Sequence, residues 1–111
     1  MAVNNTDDHL RNHGFILTKS GWVLSPLYDV NPVPFGDELS LNVDSNDNRV
    51  SADLAIKSAS YYNLKEQEAI EYANEIFGIV NSNWEKIAAQ YGLSRSSIEY
   101  MRPAFSLNPI E

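Results

Sequence analysis

The second half of the chain has apolar residues at the three- and four-residue spacing of packed helices, and this spacing constrains the fold most. Four helices are predicted, over residues 52–62, 65–81, 83–91 and 95–104. Ser51 and Ser94 are placed to cap the first and the last helix, whereas Asn63 and Gly92 are placed to end the first and the third. Residues 51–105 are therefore expected to form a helical bundle.

Apolar side chains on these helices are expected to face a common core. On the second helix they are Ala69, Ile70, Tyr72, Ala73, Ile76, Phe77 and Val80. Leu54, Ala55, Ala59 and Tyr62 form the corresponding face of the first helix, and Ile98 and Met101 that of the last. With 43% hydrophobic residues, a chain of 111 residues can bury the core of one domain.

Two short runs rich in aromatic and β-branched residues precede the helices. Residues 15–18 and 22–24 read as strands of a hairpin, and Gly21 can supply the positive φ that its turn needs. Residues 25–50 are rich in Pro, Asn and Asp and predict an irregular connection, with at most a short strand near 39–41. The predicted fold is a mainly α (α+β) single domain over 1–111, with about four helices after a short β-hairpin.

The polar stretch at the start of the chain has a pattern typical of phosphotransferases. Asp7, His9 and Asn12 give D-x-H-x-x-N, and Asp29 follows after the predicted hairpin. In kinase catalytic loops an aspartate accepts the proton of the attacking hydroxyl, and an asparagine five residues later binds Mg²⁺. Residues 1–31 are therefore the predicted site, since the hairpin would set the distance between Asn12 and Asp29.

Each of these residues has an expected role. Asn12 and Asp29 would bind Mg²⁺, because a carboxylate and an amide carbonyl completed by phosphate oxygens suit this cation. Asp7, and not Asp8, would be the base, because only Asp7 lies five residues before Asn12. The ring of His9 would hold the loop backbone, and Arg11 would pair with a carboxylate or a phosphate. Ordinary turn chemistry of Asn and Asp accounts for the same residues without a site.

Two blocks of the sequence resemble the C-terminal lobe of the HipA family, the serine/threonine kinase toxins of bacterial toxin–antitoxin pairs. They are TDDHLRNHGF at residues 6–15 and GWVLSPLYDVNP at residues 21–32, and the segments 53–55 and 84–88 are similar as well. The resemblance implies that Asp7 is catalytic and that Asn12 and Asp29 bind magnesium. It also implies ATP as phosphoryl donor, a protein substrate, an antitoxin partner of the HipB type, and contact with DNA only through that antitoxin.

The family's N-terminal lobe has no counterpart in these 111 residues. That lobe supplies the phosphate-covering loop and the nucleotide-binding lysine in a complete family member. The chain by itself is therefore expected to be inactive, and the kinase activity is expected of the full-length protein.

Composition restricts the remaining classes of function. A net charge of −7 argues against a general nucleic-acid binder and against an anionic membrane surface. The absence of cysteine excludes disulfides and thiolate metal sites, and it fits the expected cytoplasmic location. The sequence has neither a leader pattern nor an apolar run long enough for a membrane span.

Residues 84–101 also resemble a helix-turn-helix, which makes DNA binding the main alternative. Gly92 lies in the short turn, and small Ala88 and Ala89 suit two helices that cross steeply. The second helix offers only Arg95 and Arg102, against Glu99. Docking of an antitoxin on this acidic lobe is a further alternative.

Overall fold

The computed structural model describes residues 1–108 and residue 110. Ser51 and Ser94 are the N-cap residues of its first and last α-helices. Helix α1 spans Ala52–Lys57, and the Oγ of Ser51 accepts a hydrogen bond from the N–H of Leu54 at 3.2 Å. A 3₁₀ helix over Ala59–Tyr62 follows and is ended by Asn63 in the left-handed region (φ 58°). The predicted cap and the predicted end of this segment are both confirmed.

Helix α2 is continuous over Glu66–Gln90, so the predicted break near Ser82 is wrong. Asparagine and serine usually interrupt helices because their side chains compete for backbone groups. Here Asn83 donates instead to the carbonyl of Ile79 at 2.7 Å, one turn back on the same helix. Asn81 donates to the carbonyl of Leu107 at 3.4 Å, outside the helix. Neither amide displaces a backbone bond of the helix.

Helix α3 spans Arg95–Met101 and continues as a 3₁₀ helix over Arg102–Phe105, where Pro103 lies in the first turn. The Oγ of Ser94 accepts from the N–H of Ser97 at 3.1 Å, which confirms the predicted cap. Trp84 of α2 stacks on Phe105 with 4.2 Å between ring centroids. This stack holds the 3₁₀ helix that contains Phe105 against α2.

The two strands form an antiparallel hairpin, β1 over Phe15–Thr18 and β2 over Gly21–Leu24. Lys19 and Ser20 make the turn, and Gly21 has the expected positive φ (110°). The predicted strand near 39–41 is reduced to an isolated bridge between Glu38 and Arg49. The mixed α+β class is confirmed, with the hairpin and the irregular connection before the helices.

The core is small and lies where α1 and its 3₁₀ extension meet α2. Its buried residues are Leu54, Ile56, Ala59, Ala69, Phe77 and Ala104. Of the positions predicted to be buried, Tyr62, Tyr72 and Ile76 are exposed instead. The reason is that α2 is covered along a single stripe through Ala69 and Phe77, so that the flanks of the helix face solvent.

None of the described helices is long and apolar enough to cross a membrane. Helix α2 has the length, but glutamates recur along it from its first turn to its last third.

Loss of the first cap gives a stability test of this arrangement. Ser51→Ala removes the acceptor for the N–H of Leu54, and we expect the free energy of unfolding to fall by about 1 kcal/mol. Urea denaturation measures the difference. Ser51→Asp keeps an acceptor at the cap and should stay close to the parent, and equal losses in both variants would contradict a capping role.

A second prediction concerns the loop at the bridge between Glu38 and Arg49. The Arg49 guanidinium binds the Asp47 carboxylate and lowers its pKa to about 2. The stabilisation is therefore present above the ordinary pKa, near 4, and is lost as the pH falls toward 2. In Arg49→Ala we expect the pKa of Asp47 to rise toward its ordinary value in a carbon-detected NMR titration, although the backbone N–H of residue 49 still donates to Oδ1 and keeps part of the lowering. Lys57→Ala removes a cation paired with Asp53 and should leave the pKa of Asp47 unchanged.

Candidate functional site

The D-x-H-x-x-N segment ends in a 3₁₀ helix over Leu10–Asn12, and Asn12 is hydrogen-bonded back to the backbone of His9. The N–H of His9 donates to Oδ1 of Asn12 at 3.1 Å, and the N–H of Asn12 donates to the carbonyl of His9 at 2.8 Å. Asn12 is buried. Since a backbone N–H can only donate, the atom facing it must be the amide oxygen, which fixes the orientation of the Asn12 side chain.

The hairpin returns the chain so that residues 28–29 lie beside residues 11–12. Nδ2 of Asn12 donates to Oδ2 of Asp29 at 2.9 Å, and the hydroxyl of Tyr28 donates to the carbonyl of Arg11 at 2.7 Å. Both bonds join residues 17 positions apart. The structure therefore brings together the two residues that the sequence assigns to magnesium.

Asp29 has an unusual backbone and a fully engaged carboxylate. Its φ is +55°, which few residues other than glycine adopt, although aspartate tolerates it better than most. Oδ2 accepts from Asn12, and Oδ1 accepts from Nδ2 of Asn31 at 2.7 Å. The carboxylate is thus aimed by one amide on each oxygen, and it remains exposed to solvent on its other side.

The two neighbouring aspartates of the loop differ in their contacts. Asp7 is exposed, and its carboxylate makes no hydrogen bond or ion pair with any described residue. Asp8 instead contacts Nε2 of His13 at 3.0 Å from each oxygen. Of these two carboxylates, that of Asp8 is paired and that of Asp7 has no partner among the described residues.

His9 and Arg11 support the loop through their backbones. The buried Nδ1 of the His9 ring has no hydrogen-bond partner among the described residues, so the predicted ring contact is absent at that atom. The backbone N–H and carbonyl of His9, and not its ring, hold the loop by hydrogen bonds to Asn12. The Arg11 guanidinium joins none of the ion pairs within residues 1–108, and its carbonyl receives Tyr28.

Sequence reasoning missed Asn4, which ties this loop to the segment after Asp29. Its buried Nδ2 lies 2.8 Å from the carbonyl of Val33, 3.3 Å from that of Phe35 and 3.2 Å from that of Gly36. The carbonyl of Thr6 also accepts from the N–H of Ser40 at 3.1 Å. An Asn in a polar run indicates only a turn, and no local signal identifies partners about 30 residues away.

The donor set fits magnesium as part of a shared site. No group of three or more His, Asp or Glu side chains within the described chain is arranged to hold a metal by itself. Asn12 and Asp29 offer one amide oxygen and one carboxylate, which suits a cation that keeps waters and takes phosphate oxygens. Nδ2 of Asn12 faces Asp29 while Oδ1 accepts from the N–H of His9, so a cation shared by Asn12 and Asp29 would have to replace both of these hydrogen bonds.

Two cavities bear on what the site can bind. One of about 160 Å³ adjoins Asn12 and Asp8, and it is smaller than the roughly 300–1,000 Å³ typical of small-molecule sites. Another of about 390 Å³ lies between α2, α3 and Pro32, and its lining is apolar and aromatic. The lining of the larger cavity offers no carboxylate, imidazole or amide side chain for phosphoryl transfer.

The geometry of α2 and α3 weakens the helix-turn-helix alternative. The guanidinium of Arg102 binds both Glu99 and Glu85 and lies 5.4 Å above the ring of Trp84. These carboxylates raise the pKa of Arg102, and the guanidinium lowers that of Glu99. Arg102, which follows α3, is already paired with two carboxylates, and α3 itself offers Arg95 as its cation, so few positive charges face outward for DNA phosphates here.

Comparison with known proteins places the chain in a family. The family model described as the HipA-like C-terminal domain matches residues 1–84. The chain therefore belongs to the HipA-like family through this C-terminal domain. The matched region holds the 3₁₀ turn, the hairpin, Asp29, α1 and most of α2. Comparisons with curated proteins and with solved structures returned no match.

Proposed function

We propose that this chain is the catalytic-loop lobe of a HipA-like serine/threonine kinase, and that the full-length protein transfers the γ-phosphoryl group of ATP to a protein hydroxyl. The observation that carries the proposal is the direct hydrogen bond between Asn12 and Asp29. It joins the two side chains that a phosphotransferase of this pattern needs on one cation. Membership of the HipA-like family is independent support.

In this proposal each residue of the loop has a separate task. Asp7 accepts the proton of the attacking hydroxyl, because its carboxylate is exposed and unpaired among the described residues. Asn12 and Asp29 hold the cation, and Asn31 keeps the Asp29 carboxylate turned toward Asn12. When bound, Mg²⁺ would supply positive charge to stabilise the phosphoryl group during transfer. Asn4 and Thr6 hold the loop against residues 33–40.

The nucleotide itself needs contacts from outside this chain. The cavity beside Asn12 is too small to enclose it, and the loop offers carboxylates where phosphates would need cations. We therefore propose that a second lobe covers the phosphates, as the family resemblance implies. The proposed partner of the full-length protein is an antitoxin of the HipB type, with any DNA contact made through it.

The metal-binding step can be tested on the chain as it is. In a titration with Mg²⁺ and ATP, we expect the side-chain amide signals of Asn12 and Asn31 to shift first in ¹H–¹⁵N NMR spectra. The physical reason is that the cation takes the place of the Asn12 amide at Oδ2 of Asp29 and changes the charge of the carboxylate that Asn31 contacts through Oδ1. The amide of Asn74, which is bound to Ile110, serves as the control. Shifts confined to the acidic loop 44–47 would contradict the assignment, because they would report non-specific cation binding.

A further inference from the structure

The cavity of about 390 Å³ between α2, α3 and Pro32 has a floor of half-buried side chains and an exposed rim. On the rim, Tyr91 is 82% exposed and Ile87 is 49% exposed, so the cavity opens to solvent on that side. Its volume lies within the roughly 300–1,000 Å³ that is typical of small-molecule sites. We name this feature the α2–α3 cavity. Its floor is formed by Trp84, Ala88, Ile98, Met101 and Phe105.

Two contacts hold the aromatic part of this floor in place. The ring of Trp84 stacks on that of Phe105, with 4.2 Å between ring centroids and 9° between ring planes. The guanidinium of Arg102 lies 5.4 Å from the centre of the Trp84 ring and is itself bound by Glu85 and Glu99. A wall whose rings are already fixed loses little conformational entropy when a molecule binds, which favours affinity. The α2–α3 cavity is therefore a preformed site.

The chemistry of the lining restricts what can enter the cavity. Among the described residues that line it, no polar surface faces the cavity. A peptide segment would bring backbone N–H and C=O groups to this apolar wall, and burying such groups without hydrogen-bond partners is unfavourable. An ion would meet the same difficulty, and an anion would also approach a chain with a net charge of −7. These observations select a neutral, apolar molecule.

We propose that the α2–α3 cavity binds a small neutral aromatic molecule. Trp84, Tyr91 and Phe105 give its wall three aromatic rings, and the thioether of Met101 is a favourable neighbour for a further ring. The size of the molecule follows from engineered apolar cavities, in which about 150 Å³ holds one benzene. A cavity of about 390 Å³ therefore holds roughly two to three rings.

This site is separate from the proposed kinase function. The HipA-like family model ends at residue 84, and seven of the nine described residues that line the cavity come after it. The lining shares no described residue with the catalytic loop or with Asp29. Pro32 is the nearest link along the chain, since it follows the Asn31 that donates to Asp29. Failure of either proposal therefore leaves the other standing.

A titration of the full 111-residue chain with N-phenyl-1-naphthylamine tests the proposal. This neutral probe carries a naphthyl and a phenyl group, and its fluorescence rises and shifts to shorter wavelength in apolar surroundings. We expect saturable binding of one probe per chain. Ala88→Phe fills the cavity and should weaken binding by at least about tenfold, the smallest effect usual for a misfit in an apolar pocket. Ala89→Phe makes the same change at the adjacent exposed residue, outside the lining, and should keep the parent affinity.

Methyl NMR gives a readout that needs no substitution. We expect nuclear Overhauser contacts from the aromatic protons of the probe to the methyl groups of Ile98 and Met101, and none to those of Ile16 on the exposed hairpin. A naphthalene with a carboxylate at each end is the chemical control. It should not bind, because one charge would have to enter the apolar cavity.

Four results would each overturn the proposal. The first is an absence of saturable binding, and the second is equal affinity for the neutral probe and the dicarboxylate. The third is unchanged affinity in Ale88→Phe, with urea denaturation of both alanine variants as the check that they remain folded. The fourth is a set of probe contacts at Ile16 in place of Ile98, because the probe would then report the exposed hairpin.

Discussion

Asp7→Asn should lower the rate of phosphoryl transfer by about 10²- to 10⁴-fold, the usual contribution of a positioned general base. The replacement has the same shape as aspartate but cannot take up the proton of the attacking hydroxyl. Asp7 is exposed and unpaired among the described residues, so the change should leave folding stability within about 0.5 kcal/mol of the parent. Loss of activity would then report chemistry and not unfolding.

The assay needs a nucleotide-binding lobe, which can be supplied by fusing the chain to the N-terminal lobe of a HipA-family kinase. Incorporation of labelled phosphate into protein is measured for the fusion and its variants. Asp8→Asn is the matched control, because Asp8 is the adjacent carboxylate and is engaged with His13. If transfer persisted in Asp7→Asn and disappeared in Asp8→Asn, the base would be Asp8 and the assignment to Asp7 would be wrong.

The local parts of this fold could be read from the sequence because their causes are local. Ser51 and Ser94 cap helices through bonds to residues three positions away, and Gly21 supplies a positive φ within its own turn. The break predicted near Ser82 failed for the opposite reason. Asn81 uses its amide on Leu107, 26 residues along the chain, and a periodicity argument cannot include such a partner.

The residues of the site also fall into those that a local sequence pattern predicts and those that depend on distant partners. The spacing from Asp7 to Asn12 and the hairpin before Asp29 were visible as a pattern, and the structure brings Asn12 and Asp29 into contact. The amides that hold the site in place were not visible. Asn31 lies only two residues after Asp29, and its bond to Oδ1 occurs beside a left-handed backbone at Asp29 that the sequence pattern does not indicate. Asn4 depends on carbonyls of residues 33–36, which only the folded connection places within reach.

Asp29→Gly should reduce phosphoryl transfer in the same fusion by at least about 10³-fold, because loss of the metal removes several kcal/mol of transition-state stabilisation. Glycine is the informative replacement here. It adopts φ +55° without the strain of roughly 1 kcal/mol that alanine would add, so the variant separates the carboxylate from the backbone. Asp29→Ala should be equally inactive. It should also be less stable than Asp29→Gly by roughly 1 kcal/mol, a difference that urea denaturation would measure.

Asn31→Ala completes the series, since it removes one amide from Asp29 and keeps the carboxylate. Groups that orient a metal ligand typically contribute 10- to 100-fold, so we expect this variant to lie between the parent and Asp29→Gly, in both magnesium affinity and transfer. The expected order of transfer rates, parent above Asn31→Ala above Asp29→Gly, is what identifies Asp29 as a metal ligand. If Asp29 only fastened the hairpin to the loop, Asp29→Gly would lose stability without changing the magnesium dependence of the remaining transfer. A metal ligand predicts the reverse, with a magnesium requirement that rises steeply in Asp29→Gly and moderately in Asn31→Ala.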